Sequence, residues 1–369
     1  MLNGVRVLDL TRVLAGPFCT MMLGDMGADV IKVERPGTGD ETRGWGPPFN
    51  EEGESAYFLS ANRNKLSIAL DIEQEADRRV IESLAVEADV VVDNFRRGTL
   101  ERRGLDPAEL LRRNPALIWC TVTGFGPDSG RPGYDFVTQA ECGWMAITGE
   151  PDGEPMKVGV ALADVLAGKD ATLAILAALV ARGRSGTGRR LFISLAASAR
   201  AALVNVAQNV MVSGRDAGRW GNAHPNLVPY QLFDAADRPL VIAVGSDAQW
   251  VSCAGTLGLD ALANDPDLAT NAGRLAQRER IIKEFSSRLR RAPAAVWLSR
   301  LAKVGVPAGV VKTVREVTEE AQASARTGMP PSVGETLRFP PPRLDQHGSV
   351  IRHSGWRVFD LTFGQSDGR

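Results

Sequence analysis

A chain of 369 residues, 44% of them hydrophobic and 24% charged, can bury one large core or two smaller ones, and two domains are the better expectation. Its 43 basic residues nearly cancel its 44 acidic ones, so no global field draws it to nucleic acid; an anionic ligand must be held by a local cluster, which points to a small-molecule partner. No basic segment followed by an apolar one opens the chain and no run reaches the ~18 apolar residues of a membrane span, so a cytoplasmic protein without a membrane partner is expected.

The first half alternates β-branched runs with helical patterns. Val5 to Leu10, Asp29 to Glu34 and Leu66 to Asp71 read as strands, with a helical stretch from Pro17 to Gly27 between the first two. The amphipathic segment Gln74 to Ala88 leads into Asp89 to Phe95, and Glu109 to Arg113 leads into Leu117 to Phe125. Such alternation predicts a parallel sheet, and ligands of open parallel sheets sit beyond the carboxyl ends of the strands. Glu34-Arg35, Asn94-Phe95 and Gly124-Phe125-Gly126 are therefore expected around one crevice.

A long Ala-rich helix is predicted from about Asp164 to Arg182, stopped by the glycine-rich run that begins at Gly183. A strand from Arg190 to Leu195 and another helix follow, and Arg215 to Pro229, rich in Gly, Asn and Pro, reads as a crossing into a second unit. That unit contains a strand at Leu240 to Val244 and helices near Asp247 to Gly258, Leu275 to Arg291 and Ala294 to Val304. The Pro-rich stretch Met329 to Arg343 then leads to a tail that can return to the first domain.

Several chemistries are disfavoured by what is missing. Cys19, Cys120, Cys142 and Cys253 have no CxxC spacing and read as buried thiols, and His224, His347 and His353 form no HExxH, so no metal centre is expected. The loop Thr11 to Pro17 after the first strand lacks GxGxxG, and no phosphate-binding GxxxxGK[ST] occurs, which argues against a dinucleotide redox enzyme. Basic residues instead gather near strand ends: Arg35, Arg63, Lys65, Arg96, Arg97, Arg102 and Arg103. Any one of them is equally well a solvated surface charge, but as a set they suit a ligand with several phosphates, such as coenzyme A. Asp164 stands in the apolar run Val158 to Gly168, where an isolated carboxylate is out of place. A helix-capping aspartate is the plain reading; a nucleophile kept ionised by the helix N-terminus is the second, and the two can coincide.

With these residues in view, the chain resembles the family III CoA-transferases, a group that includes formyl-CoA and carnitine CoA-transferases and is related to alpha-methylacyl-CoA racemase. The resemblance rests on Gly4 to Thr11, Leu14-Ala15-Gly16-Pro17, Gly27 to Pro36, Asn62 to Lys65, Asp93-Asn94-Phe95, Asn222-Ala223-His224-Pro225, Pro229-Tyr230, Ile242 to Gly245 and Gly305 to Gly309, and covers nearly the whole chain. It implies an α/β fold: a large Rossmann-like domain with an open parallel sheet, built from residues 1–215 and 325–369, a smaller α/β domain with its linkers at 216–324, and an interlocked homodimer. It also implies that Asp164, within a Gly-x-x-x-x-Asp-x-x-x-Gly frame spanning Gly159 to Gly168, is the nucleophile. Arg35, Lys65, Asn94, Phe95 and Arg102, with Leu14 and Tyr134, become the coenzyme A contacts.

Related racemases place a histidine after a glycine where this chain has Gly133-Tyr134-Asp135, and a phenol is a weak base near neutral pH, so CoA transfer is expected ahead of racemisation. Many relatives carry Asp-x-Ser-Leu-x-Asp where this chain has Phe192 to Ala197, losing both acids, which leaves acceptor identity open. The expected activity is transfer of coenzyme A from an acyl-CoA to a small carboxylic acid through an aspartyl thioester, with acyl-CoA as substrate and no permanently bound cofactor. A 2-methylacyl-CoA racemase-like enzyme and a CoA-binding protein without catalysis are the alternatives.

Overall fold

The computed structural model describes residues 1–334 and 337–363; the expected large domain's residues 335–336 and 364–369 lie outside it. The chain divides into two compact units, one of residues 1–144, 157–214 and 318–369, the other of 145–156 and 215–317. Against the expected boundaries, 145–156 and Arg215 group with the second unit and 318–324 with the first.

The first unit is built on six parallel strands, β1 (Arg6–Asp9), β2 (Asp29–Glu34), β3 (Lys65–Ala69), β4 (Val90–Asp93), β5 (Ile118–Thr123) and β6 (Arg189–Ser194), ordered β3-β2-β1-β4-β5-β6. Side chains alternate across a strand, and both faces of this sheet are apolar, as a helix-covered parallel sheet requires. Val7, Val30, Val90, Ile118 and Cys120 pack on one face against α1 (Ala15–Asp25). Leu8, Ile31, Leu66, Val91 and Trp119 pack on the other against α2 (Glu75–Glu87) and the C-terminal Ile351 and Trp356. Each fully buried side chain of this size contributes about 1.5–3 kcal/mol, and these two clusters supply most of the unit's drive to fold. The Trp356 indole N–H donates to the Leu84 carbonyl at 3.0 Å, fastening the returning C-terminal segment to α2.

The remaining helices of interest are α3 (Asp135–Glu141) and α4 (Leu162–Ser185). Ala is the strongest helix former, and the Ala-rich α4 runs 24 residues before Gly186, at φ +72°, ends it in the left-handed conformation. Its small residues Ala163, Ala167 and Ala171 are buried at a spacing of four, so its backbone lies close to α1. At Gly168 a Cβ would stand 2.7 Å from the Ala15 carbonyl oxygen, which explains the glycine that closes the frame around Asp164.

The second unit holds a three-stranded antiparallel sheet, β7 (Tyr230–Asp234), β8 (Pro239–Ala243) and β9 (Ala308–Val310). Its core includes Trp250 and Phe285, stacked with ring centroids 5.8 Å apart, and Trp297. No helix among the described residues is long and apolar enough to cross a membrane.

Candidate active site

In the strand order β3-β2-β1-β4-β5-β6, the chain leaves β1 toward one sheet edge and β4 toward the other, so the loops after these two neighbours part and open a crevice. Asn94 fastens them. Its Nδ2–H donates to the Arg12 carbonyl at 2.7 Å, and the Arg12 N–H donates to its Oδ1 at 3.0 Å. The next residue, Val13, is β-branched yet sits at φ +71°, a conformation costing roughly 1–3 kcal/mol. Its N–H points to the Asp40 carboxylate at 3.2 and 3.3 Å, and Asp40 is itself paired with buried Lys32 at 3.1 Å. A charged layer beneath the loop thus over-determines its shape.

A cavity of about 560 Å³ opens above these loops, lined by Arg12 to Ala15, Asp93 to Gly98, the end of β5, Tyr134 and, from the first turn of α4, Asp164. Asp164 is the third residue of α4, and the helix N-cap is Ala161, which makes no side-chain cap. The capping role belongs to Asp135: its Oδ1 accepts the Ala163 N–H at 2.8 Å, and its Oδ2 accepts from Gln139 Nε2 at 2.7 Å. Gln139 Oε1 in turn accepts the Val158 N–H at 2.8 Å, so α3 holds the segment leading to Asp164 at both ends. Burial, and after it the charge on Asp135, pushes the Asp164 carboxyl up to about 7. The expectation of a carboxylate kept ionised by the helix N-terminus is therefore corrected, since the nearest capping N–H is already taken. Tyr57, which sequence reasoning missed, also feels this site: burial and then the charges of Asp164, Asp135 and Asp40 push its phenol up to about 12.

Arg12 and Phe95 form the wall between this cavity and a second one of about 360 Å³, with the Arg12 guanidinium carbon 5.3 Å from the Phe95 ring centroid. Arg35, Leu70 and Arg103 line the second space. The three strand ends expected around one crevice thus surround two adjoining cavities: Glu34-Arg35 belongs to the second, Gly124 and Gly126 to the first, and Phe95 to both.

The candidate residues fall into three groups. Asp164, Leu14, Asn94, Phe95 and Tyr134 line the first cavity, with Asn94 also serving as the loop tie. Arg35 lines the second, while the exposed Arg102 lies on the neighbouring short helix Thr99–Arg102, its Nη2 on Thr99 Oγ1 at 3.1 Å, and lines neither cavity. Lys65 is placed elsewhere, which corrects its assignment as a ligand contact. Its ammonium is fully buried and all three N–H bonds are used, on Asp9 Oδ2 at 2.9 Å, the Pro17 carbonyl at 2.8 Å and Asn62 Oδ1 at 2.9 Å. Arg63 is likewise committed to Asp25, through Nε at 2.8 Å and Nη2 at 2.6 Å. Arg131 and Arg190 line the first cavity and were not singled out from sequence; no local pattern marks them.

An open parallel sheet with paired cavities at its switch point and a half-buried carboxylate facing one of them defines a class of small-molecule enzyme rather than a binding scaffold. The sequence profile of CoA-transferase family III matches residues 2–352, and the chain belongs to that family. Succinyl-CoA:glutarate CoA-transferase of Mus musculus is 42% identical over 369 residues, covering 94% of this chain and 84% of that protein. Succinate–glutarate CoA-transferase of Agrobacterium fabrum is 43% identical over 333 residues, covering 88% and 83%. Among solved structures, a CAIB/BAIF family protein from Brucella suis is 41% identical with a TM-score of 0.84, covering 95% of this chain and 98% of that one. The protein is a CoA-transferase: it moves coenzyme A between an acyl-CoA and a carboxylic acid.

Proposed function

We propose that transfer runs through a covalent relay on Asp164. The carboxylate attacks the acyl-CoA thioester, giving a mixed anhydride and releasing the CoA thiolate. The thiolate then attacks the aspartyl carbonyl, expelling the donor acid with the bridging oxygen and leaving an aspartyl-CoA thioester. The acceptor carboxylate reverses the sequence, attacking the aspartyl thioester to form a second anhydride, whose acyl group the thiolate takes. Thioester and anhydride are close in energy, so the protein's task is position and exclusion of water.

The observation that carries this reading is a single one: Asp164 faces the cavity formed by the strand-end loops. In this reading the pantetheine arm lies in the 560 Å³ cavity along Leu14, Asn94 and Tyr134, the nucleotide passes Phe95 into the 360 Å³ cavity near Arg35, and Arg102 meets a phosphate from outside. Lys65 is left out, its donors being spent. Among the described residues no histidine lines the cavity, which favours transfer over two-base racemisation. The names of the relatives suggest succinate and glutarate as the acids.

The relay is tested with an acceptor acid labelled with oxygen-18 in its carboxylate. Turnover should place label in the Asp164 side chain, read by mass spectrometry of its peptide; turnover without label there contradicts the relay. The reading includes a cytoplasmic setting, supported by four free, buried cysteines, and an interlocked homodimer. The helix Val204–Ser213 buries none of its residues and exposes Val204, Met211 and Val212, an apolar surface that a second subunit would cover. Light scattering should give twice 39.6 kDa.

A further inference from the structure

The loop between β5 and α3, residues 124–133, is pinched at its neck by two glycines. A Cβ on either Gly124 or Gly133 would overlap the Cα of the other, so the two arms of the neck lie backbone against backbone and only glycine fits. Beyond the neck the loop packs on itself. The Arg131 guanidinium carbon stands 4.2 Å from the Phe125 ring centroid, the Ser129 N–H donates to the Gly126 carbonyl at 3.2 Å, and the Arg131 N–H donates to Ser129 Oγ at 3.3 Å. A surface loop with touching ends and side chains of its own to pack on can swing as one body.

Its attachments are unevenly placed. At the base, Phe125 packs against the cluster of Ala163, Ala196 and Trp144, and the Gly126 N–H reaches Thr123 Oγ1 at 3.1 Å. Toward the tip, among the described residues, the polar ties leaving the loop are two exposed ion pairs: Arg131 with Glu141 of α3 at 2.6 Å, and Asp128 with Arg97 of the loop after β4 at 3.1 Å. Arg97 and Asp128 both line the 560 Å³ cavity that Asp164 faces, yet their side chains are 67% and 91% exposed, which puts their pair on its rim. Gly133 is followed by Tyr134 and by Asp135, so the neck adjoins the residue that caps α4.

We propose that residues 124–133 form a lid hinged at the Gly124–Gly133 neck and latched by Asp128 to Arg97, and that this latch makes the enzyme take a carboxylate rather than water as acceptor. The proposal rests on the relay reading above and assigns its exclusion of water to named residues. With the lid open, water adds to the aspartyl thioester carbonyl and the C–S bond breaks. One water proton goes to the departing thiolate and the other to solvent, and the Asp164 carboxylate is regenerated without transfer. An exposed ion pair is weak and screened by salt, which suits a latch that opens at every turnover and limits its effect to a few-fold.

The test uses one acyl-CoA donor and measures CoA release without acceptor acid, transfer with glutarate, and amide hydrogen exchange across the loop. It compares the wild type with Asp128→Ala, Arg97→Asp and the exchanged pair Arg97→Asp with Asp128→Arg. Asp128→Ala should raise the ratio of hydrolysis to transfer roughly two- to fivefold and speed exchange in the loop. Arg97→Asp, which sets like charges face to face, should do at least as much, and the exchanged pair should bring both readouts back toward the wild type. Raising ionic strength should raise the wild-type ratio and leave that of Asp128→Ala unmoved. An unchanged ratio in the single variants, with or without faster exchange, overturns the proposal, as do effects that the exchanged pair fails to reverse. Oxygen-18 transfer to wild-type Asp164 reads the relay separately: label there with ratio and exchange unmoved overturns the lid alone, and moved ratio and exchange without label overturns the relay alone.

Discussion

Asp135 caps the helix that carries Asp164: its Oδ1 accepts the N–H of Ala163, the residue just before Asp164, at 2.8 Å. One carboxylate therefore takes the helix-end donor and sets its own charge beside the other. Burial first, and Asp135 second, raise Asp164 to about 7, so only the fraction ionised above that range can attack a thioester. Activity on the free enzyme should rise with pH through an acidic limb near that value. Asp135→Asn keeps an oxygen for the Ala163 N–H and removes the charge, and should move the limb to lower pH by up to about one unit. A pH profile of kcat/KM checks this; a limb unmoved in the variant contradicts it.

Lys65 should behave as a structural residue. Its fully buried ammonium neutralises Asp9, whose carboxyl burial would raise but which Lys65, Lys32, Thr11 and Thr20 together hold well below the usual carboxylate range. Lys65→Met strands Asp9 as a buried charge and should destabilise the fold by about 3–5 kcal/mol. Urea unfolding measures the loss, and the folded fraction should keep its affinity for CoA.

Arg35 should show the opposite pattern. It is exposed and lines the second cavity, so Arg35→Ala should leave the melting temperature within a few degrees and raise KM for acyl-CoA roughly tenfold. Because an exposed phosphate contact is screened by salt, the difference from wild type should shrink as ionic strength rises. A KM unchanged at low salt would separate this cavity from the nucleotide.

Two glycines of α4 should respond in opposite directions. Gly168→Ala drives a methyl to within 2.7 Å of the Ala15 carbonyl oxygen, so α4 must shift against α1, costing about 1–3 kcal/mol and moving Asp164 one turn upstream. Gly183 has nothing within 4 Å of its Cβ position, and Gly183→Ala should stabilise by about 0.5–1 kcal/mol with activity intact. Thermal melts and turnover of the two variants give the comparison.

The strands of the parallel sheet and α4 were legible because periodicity and alanine content are local signals, whereas β7 and β9 of the second unit were not anticipated: the helix predicted from about Asp164 to Arg182 is Leu162–Ser185, and the strand predicted at Asp29 to Glu34 has those bounds. Asp164 was legible as an isolated carboxylate in an apolar run. The fate of the cations was not. Lys65 and Arg63 look like Arg35 in sequence, and only the tertiary position of Asp9 and Asp25, 56 and 38 residues upstream, turns them inward. The charge state of Asp164 was hidden for the same reason, since Asp135 reaches it across 28 residues through Ala163. Arg190 depends on the register that sets it opposite Trp119.

The most direct measurement is chemical trapping of the intermediate. Wild-type protein incubated with succinyl-CoA and quenched with hydroxylamine should yield a hydroxamate on the peptide bearing Asp164, absent without acyl-CoA and absent in Asp164→Asn. Sustained transfer with that peptide unmodified, or transfer retained in Asp164→Asn at more than about one part in a thousand, contradicts a covalent role for this carboxylate.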